Sequence, residues 1–237
     1  MFRELENVVL NSPNRFELWE KFIVKFEIKY FAEIGVYRGE FAEAMLRNCQ
    51  SLEKYFMIDP WRYISDWNKP ANTSNREFEK YYNETLSRTD FARNKRLILR
   101  GRTKEIAGDI ADNSLDLVYI DGDHTLKGIS IDLLTYWNKI KNNGFIAGDD
   151  FCPNIWQHKE KYEPTLVFPY AVYFAEAVDF KIFALPFNQF IISKNHKGFE
   201  FVNLSGDNYS KDNLLNQMEY LERTRKYTWI DKIFKRL

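Results

Sequence analysis

The chain has 237 residues, 45% of them apolar and 17% aromatic, with 34 Lys plus Arg against 34 Asp plus Glu. That length builds one sizeable core, so one domain with additions is expected, and a net charge near zero supplies no basic field for nucleic acid. No stretch reaches eighteen uninterrupted apolar residues and the N-terminus carries acids, so neither a membrane-spanning helix nor a signal peptide is expected. The two cysteines, Cys49 and Cys152, are too few and too far apart for a disulfide framework, which points to a reducing, cytoplasmic compartment.

In chain order, "SPNRFELWEKFIVKF" opens with a Ser–Pro start signal and places Phe16, Trp19, Phe22, Ile23 and Phe26 at helical spacing. "YFAEIGV" from Tyr30 reads as a strand, "GEFAEAMLRN" as a helix and "YFMIDPW" as a second strand. "NREFEKYYNETLSR" is helical, "KRLILRG" is a third strand, and a short helix follows Thr103. "LDLVYID" is a fourth strand, "GISIDLLTYWNKIKN" a helix, "GFIAGDDF" a fifth strand and "PYAVYFAEAV" a helix. "FKIFAL" and "QFIISK" form a closing strand pair across "PFN", and "KDNLLNQMEYLERTRKY" a C-terminal helix.

Strands alternate with helices and are apolar throughout, as strands buried on both faces are. The expected fold is therefore α/β: a Rossmann-like, doubly wound, seven-stranded and mostly parallel sheet with helices on both faces. Its last strand is antiparallel, because the final link is too short for a crossover. The expected organisation is an N-terminal helical addition (1–29), a central domain (30–195) with lid insertions near 61–75 and 151–168, and a C-terminal helical extension (196–237).

Ligands of such sheets bind beyond the carboxyl ends of the strands. After the first strand stand Glu33, Gly35 and Gly39, glycines that permit a tight turn and a close backbone approach ahead of a helix. Asp59 ends the second strand, where a carboxylate can accept both hydroxyls of a ribose. Thr103 follows the third strand, near the place of an adenine. A nicotinamide fingerprint needs glycines where Tyr37 and Glu40 stand. A nucleoside without phosphates, such as S-adenosylmethionine, fits better.

On "AEIGVYRG", "MIDPW" and "LDLVYIDGDHTLKGISIDLLTYWNKIKNNGFIAGDDF", the chain resembles class I S-adenosylmethionine-dependent methyltransferases over roughly 30–194. It is most similar to the metal-dependent O-methyltransferases of macrolide and aminocoumarin sugars, and more distantly to the catechol type. The resemblance implies that Glu33, Gly35 and Gly39 line the methionine end, Asp59 holds the ribose and Thr103 meets the adenine edge, with Asp121 bordering the cofactor. Dimers or larger rings are common in that subgroup, so the resemblance leaves a homodimer as one open outcome.

Two apolar strands end in acid: Asp121 after the fourth, Asp149 and Asp150 after the fifth. Three neighbouring carboxylates repel unless something positive joins them. All-carboxylate ligation favours a hard ion, Mg²⁺ or else Mn²⁺. His124, three residues beyond Asp121, has an imidazole able to take a hydroxyl proton. The resemblance assigns Asp121, Asp149 and Asp150 as metal ligands and His124 as general base. The plainer readings are a solvated acid pair at 149–150 and a structural histidine. Asp123 reads as a turn residue, Lys127 as a rival base, and His158 and His196 as loop residues.

The acceptor is expected to be a hydroxyl of a sugar, a glycan or another small polyhydroxy compound. Trp61, Tyr63, Trp67 and Trp156 in the insertions either stack on it or pack the lids. The basic "RTRKYTWIDKIFKRL" tail either covers the fold's own surface or docks on a partner or an anionic membrane. Rival functions are methyl transfer to a phenol, nucleic acid or amine, a nicotinamide oxidoreductase, and a silent binding module. The "DGDH" run, in place of an Asn/Asp-Pro-Pro-aromatic run, counts against base methylation.

Overall fold

A computed structural model describes residues 2–158 and 161–209. Two helices lead, α1 (Phe2–Leu10) and α2 (Arg15–Lys25), followed by β1 (Tyr30–Ile34), α3 (Glu40–Asn48), β2 (Lys54–Asp59), α4 (Asn75–Arg88), β3 (Arg96–Arg100) and α5 (Thr103–Ile106). Then come β4 (Leu115–Ile120), α6 (Leu126–Trp137), β5 (Ile140–Gly148), α7 (Val167–Ala177), β6 (Phe180–Leu185), β7 (Gln189–Lys197) and β8 (Glu200–Asn203). Polar side chains set the helix starts. Asn14 accepts from the Glu17 N–H at 3.0 Å to begin α2, and Thr125 accepts from the Gly128 N–H at 3.1 Å to begin α6.

The sheet has eight strands in the order β3-β2-β1-β4-β5-β7-β6-β8. β1 to β5 run parallel, β7 runs antiparallel to both β5 and β6, and β8 pairs parallel with β6. The expected count of seven is corrected by β8. That strand has four residues, none of them fully buried, so it lacks the apolar run by which the other strands are legible. α1 was likewise not expected, and the C-terminal helix and basic tail lie outside the described residues.

Alternate residues of each inner strand enter different cores, and this is why the strands are apolar without alternation. Leu117 and Tyr119 of β4 pack with Trp19, Phe22 and Phe41 on the α1–α4 side. Val118 and Ile120 pack with Ile129, Leu133 and Phe174 on the α6–α7 side. Chain order reverses direction between β1 and β4, whose registers pair Ile34 with Ile120. A crevice opens at the carboxyl ends of strands at such a reversal. Among the described residues no helix is long and apolar enough to cross a membrane.

Candidate active site

The crevice is a cavity of about 1030 Å³. Of the residues singled out in the sequence, Glu33, Gly35, Asp59, Thr103, Asp121, His124 and Asp150 line it. Gly39 and Asp149 do not. Gly39 has φ 75° and begins α3, and a Cβ there would meet Thr85 of α4 at 3.0 Å, so its smallness serves helix packing. Asp149 stands behind Arg15.

Gly35 carries the tightest constraint. Its φ is +91°, its N–H donates to the Ile58 carbonyl at 2.9 Å, and a Cβ would lie 2.0 Å from the Asp121 carbonyl oxygen. The loop after β1 thus lies directly on the end of β4. Tyr37, where a third glycine would be usual, adopts φ 54° itself. Its strain is held by its surroundings. The Asp59 carboxylate accepts from the N–H groups of Val36 at 3.0 Å and Tyr37 at 2.9 Å, and the indole N–H of Trp61 donates to the Tyr37 carbonyl at 2.7 Å. Asp59 also accepts from the Trp61 N–H at 2.7 Å. It therefore latches the loop as well as facing the cavity, and burial lifts its carboxyl to about 6 against the pull of these bonds. Trp61 is buried and packs this loop. Of the four lid aromatics named from the sequence, only Trp67 lines the cavity.

Glu33 is 2% exposed, and burial raises its carboxyl to about 8 although the Tyr55 hydroxyl donates to it at 2.9 Å. The folded protein then keeps a proton that the unfolded chain releases, so this position costs stability increasingly as pH climbs from about 4.5 to about 8. Glu33→Gln is expected to raise the melting temperature near pH 9 and to leave it unchanged near pH 4, with a ceiling of about 5 kcal/mol. Thermal melts at both pH values check this, and an equal gain at both would refute it.

At the acid end, β4 and β5 are neighbours, and their terminal carboxylates are met by Arg15 and His124. The Arg15 guanidinium, from the first turn of α2, contacts Asp149 and lies 3.5 Å from Asp121. Its plane is backed by the rings of Phe16 and Phe41, 5.5 and 5.8 Å away. His124 pairs through Nδ1 with Asp150, and its Nε2 is 3.6 Å from Asp121 with no hydrogen-bond partner. Asp149 further accepts from Gln189 at 2.5 Å and from the Asp150 N–H at 2.7 Å.

These partners order the charges. Burial and the Asp149 charge push Asp121 up. Burial opposes the charge on Asp150, but the bond to His124 draws it down to about 2. Burial also opposes a charge on His124, and Asp150 outweighs it, so His124 is raised.

The donor set is all carboxylate, the right chemistry for a hard divalent ion. As the side chains stand, Arg15 supplies the positive charge and His124 a hydrogen-bond donor, and among the described residues no cluster of three or more ligating side chains surrounds one point. Arg15 and the pairing of Asp150 with His124 were not foreseen in the sequence, since no local pattern ties residue 15 to residues 121 and 149. Arg15→Ala is expected to cost about 1.5–3 kcal/mol, the worth of hydrogen bonds to charged partners; urea melts check it.

The plainer readings resolve as follows. Asp123 accepts from the Thr125 N–H at 3.0 Å, a turn role. Lys127 is exposed, lines the cavity and pairs with Asp66 at 3.2 Å. His158 lines the cavity. The two insertions are joined over this end. Asn68 donates to the Lys161 carbonyl at 2.8 Å, the buried Lys69 ammonium to the carbonyls of Glu163 and Pro164 at 2.9 and 3.1 Å, and the Leu166 N–H to the His124 carbonyl at 2.9 Å.

Comparisons with known proteins agree with this architecture. A caffeoyl-CoA O-methyltransferase candidate from Staphylococcus aureus superposes with a TM-score of 0.56 at 17% identity, covering 83% of this chain and 90% of that one. An O-methyltransferase from Bacillus cereus, solved with S-adenosylhomocysteine, gives 0.53 at 14% identity, with 80% and 89% covered. A Podospora anserina methyltransferase, also bound to S-adenosylhomocysteine, gives 0.51 at 15% identity, with 81% and 86% covered. At these identities the likeness is one of fold. No curated protein matches the chain. The family model described as a methyltransferase domain matches residues 32–151, from β1 through the acids that follow β5. That match takes in just over half of the sequence, including Glu33, Gly35, Asp59, Thr103, Asp121, His124 and Asp150, and the chain belongs to this methyltransferase family.

Proposed function

We propose that the protein is an S-adenosylmethionine-dependent O-methyltransferase acting on a hydroxyl of a sugar, a glycan or another small polyhydroxy compound, with His124 as general base. One observation carries the reading: Asp150 holds Nδ1 of a buried, cavity-lining His124, leaving Nε2 without a partner. An imidazole oriented through one nitrogen by a carboxylate presents the other as a base. The tautomer follows from Asp150 acting as acceptor.

Bound, the cofactor supplies an electrophilic methyl group on sulfonium. Gly35 would admit it against the backbone, Glu33 would border its charged methionine end, Asp59 would face the ribose, and Thr103 would border the base. His124 would take the acceptor's proton at Nε2 as that oxygen receives the methyl group from sulfur. Solved relatives of this fold hold S-adenosylhomocysteine, which supports the cofactor.

Asp121, with Asp149 and Asp150, would hold Mg²⁺ or Mn²⁺. Such an ion would acidify and orient the acceptor hydroxyl. The acceptor end is lined by Asp121, Asp123, His124, Asp150, Lys69 and Trp67. The same lids add Ile64, Pro70, Ala71, Pro164 and Leu166, so the carboxylates and His124 can bond the hydroxyls of a polyhydroxy ring while Trp67 and the apolar lid residues cover its faces.

Release of S-adenosylhomocysteine with a panel of sugars and catechols, in Mg²⁺ and in EDTA, tests this. Sugar turnover that EDTA abolishes is the expected result. Catechol turnover above every sugar would replace the acceptor, and full turnover in EDTA would remove the ion. Recovery by Mn²⁺ of the stability that Arg15→Ala loses would support ion binding at these carboxylates without reference to turnover.

A further inference from the structure

Asp132, on the cavity side of α6, has no part in the chemistry at Asp121 and His124. It is 5% exposed and lines the cavity. The Thr103 hydroxyl donates to its Oδ1 at 2.5 Å. Its Oδ2 lies toward Gly122, where even an added Cβ would stay 3.8 Å away, so no side chain of that residue covers it.

Three cations that line the same cavity are engaged elsewhere. Arg102 and Lys127 pair with Asp66 at 2.8 and 3.2 Å, and Arg62 pairs with Glu105 at 2.5 Å. Asp132 makes no ion pair among the described residues. A buried carboxyl with one oxygen satisfied costs free energy until a donor meets the other. Burial raises its carboxyl to about 7, which disfavours a full charge and suits a neutral N–H donor.

The fold says which donor. The methyl group must sit at the Asp121–His124 end, and Asp59 marks the ribose. The base of the same nucleoside then extends away from the acids, toward Thr103 and Asp132. Ile58, Pro60 and Ile131 line the cavity and offer apolar surface to a flat ring.

We propose that Asp132, held by Thr103, reads the exocyclic amino group of the cofactor's adenine and is the residue that selects adenine over a 6-oxo purine. This rests on the cofactor assignment above. Calorimetry on the full chain with S-adenosylhomocysteine and S-inosylhomocysteine tests it. The inosine analogue puts an acceptor oxygen where adenine has an amino donor, so it leaves Asp132 facing another acceptor.

The wild-type protein is expected to bind the inosine analogue about ten- to a hundredfold more weakly, the range for a lost bond to an ionisable partner. Asp132→Asn, which can turn its amide donor to the oxygen, is expected to narrow that ratio at least about tenfold, chiefly by tighter inosine binding. A merely structural role would weaken both ligands and leave the ratio unmoved. Equal affinities in the wild type, a measurement that needs no variant to fold, would overturn the proposal, as would an unchanged ratio in Asp132→Asn. If neither compound binds the wild type, the cofactor assignment itself fails and the proposal falls with it. Binding of S-adenosylhomocysteine without discrimination overturns only the role of Asp132.

Discussion

Exchanging His124 for asparagine is expected to lower kcat by about 10²–10⁴, the usual worth of a positioned general base. The affinity for S-adenosylhomocysteine should change by no more than about twofold, because the lost group acts on the acceptor's proton. Asparagine keeps a donor for Asp150, so the buried carboxylate is not stranded. A structural histidine would give the opposite pattern: a lower melting temperature, with turnover scaling to the folded fraction. Single-turnover rates beside melting curves separate the two. Asp150→Asn is expected to lower kcat by less, since it releases the orientation of the ring and leaves the ring itself in place. A rate for His124→Asn within about threefold of wild type would remove His124 from the chemistry.

Gly35→Ala is expected to destabilise the fold by more than about 4 kcal/mol, among the largest losses a single methyl group can cause. Two independent costs combine. The added Cβ would stand 2.0 Å from the carbonyl oxygen of Asp121 and 2.4 Å from its carbonyl carbon, both main-chain atoms of the sheet. The φ of +91° is also closed to side-chain-bearing residues. The obstacle is backbone, so rotamer changes offer no relief, and β1 must part from the end of β4. For a domain of this size the loss corresponds to a fall in melting temperature of roughly 8–16 °C. Gly122→Ala is the matched control: it lines the same cavity, but its nearest neighbour would be 3.6 Å away, an ordinary contact. Differential scanning calorimetry of the pair decides the point, and equal stability of both variants would refute the close approach.

The sheet was legible because its strands are buried on two sides and end in chemistry. β1 to β5 and the antiparallel closing pair lie on the apolar runs that mark them, although β5 begins at Ile140, within the run read as helix. β8 was not, since Glu200–Asn203 is short and half exposed. At the site, the residue types at strand ends led to Glu33, Gly35, Asp59, Thr103, Asp121, His124 and Asp150. The division of labour among them did not follow from type. Gly39 is spent on packing against Thr85, and Asp59 divides between the backbone of residues 36, 37 and 61 and the cavity it lines. Arg15 and Asp132 were invisible for a different reason. Each acts through one long-range contact, 134 residues from Arg15 to Asp149 and 29 from Thr103 to Asp132, and no spacing rule spans such distances.

The first turn of α2 reaches the heart of the crevice, where Arg15 stands between Asp121 and Asp149, while Trp19 hydrogen-bonds Gln189, which in turn grips Asp149. The leading helices therefore cannot be traded like an interchangeable module. A version of the chain begun at Tyr30 would retain every strand, yet it would strip the counter-charge and one wall from the acids it is built around. Homologues that lack an equivalent lead-in must balance those acids by other means.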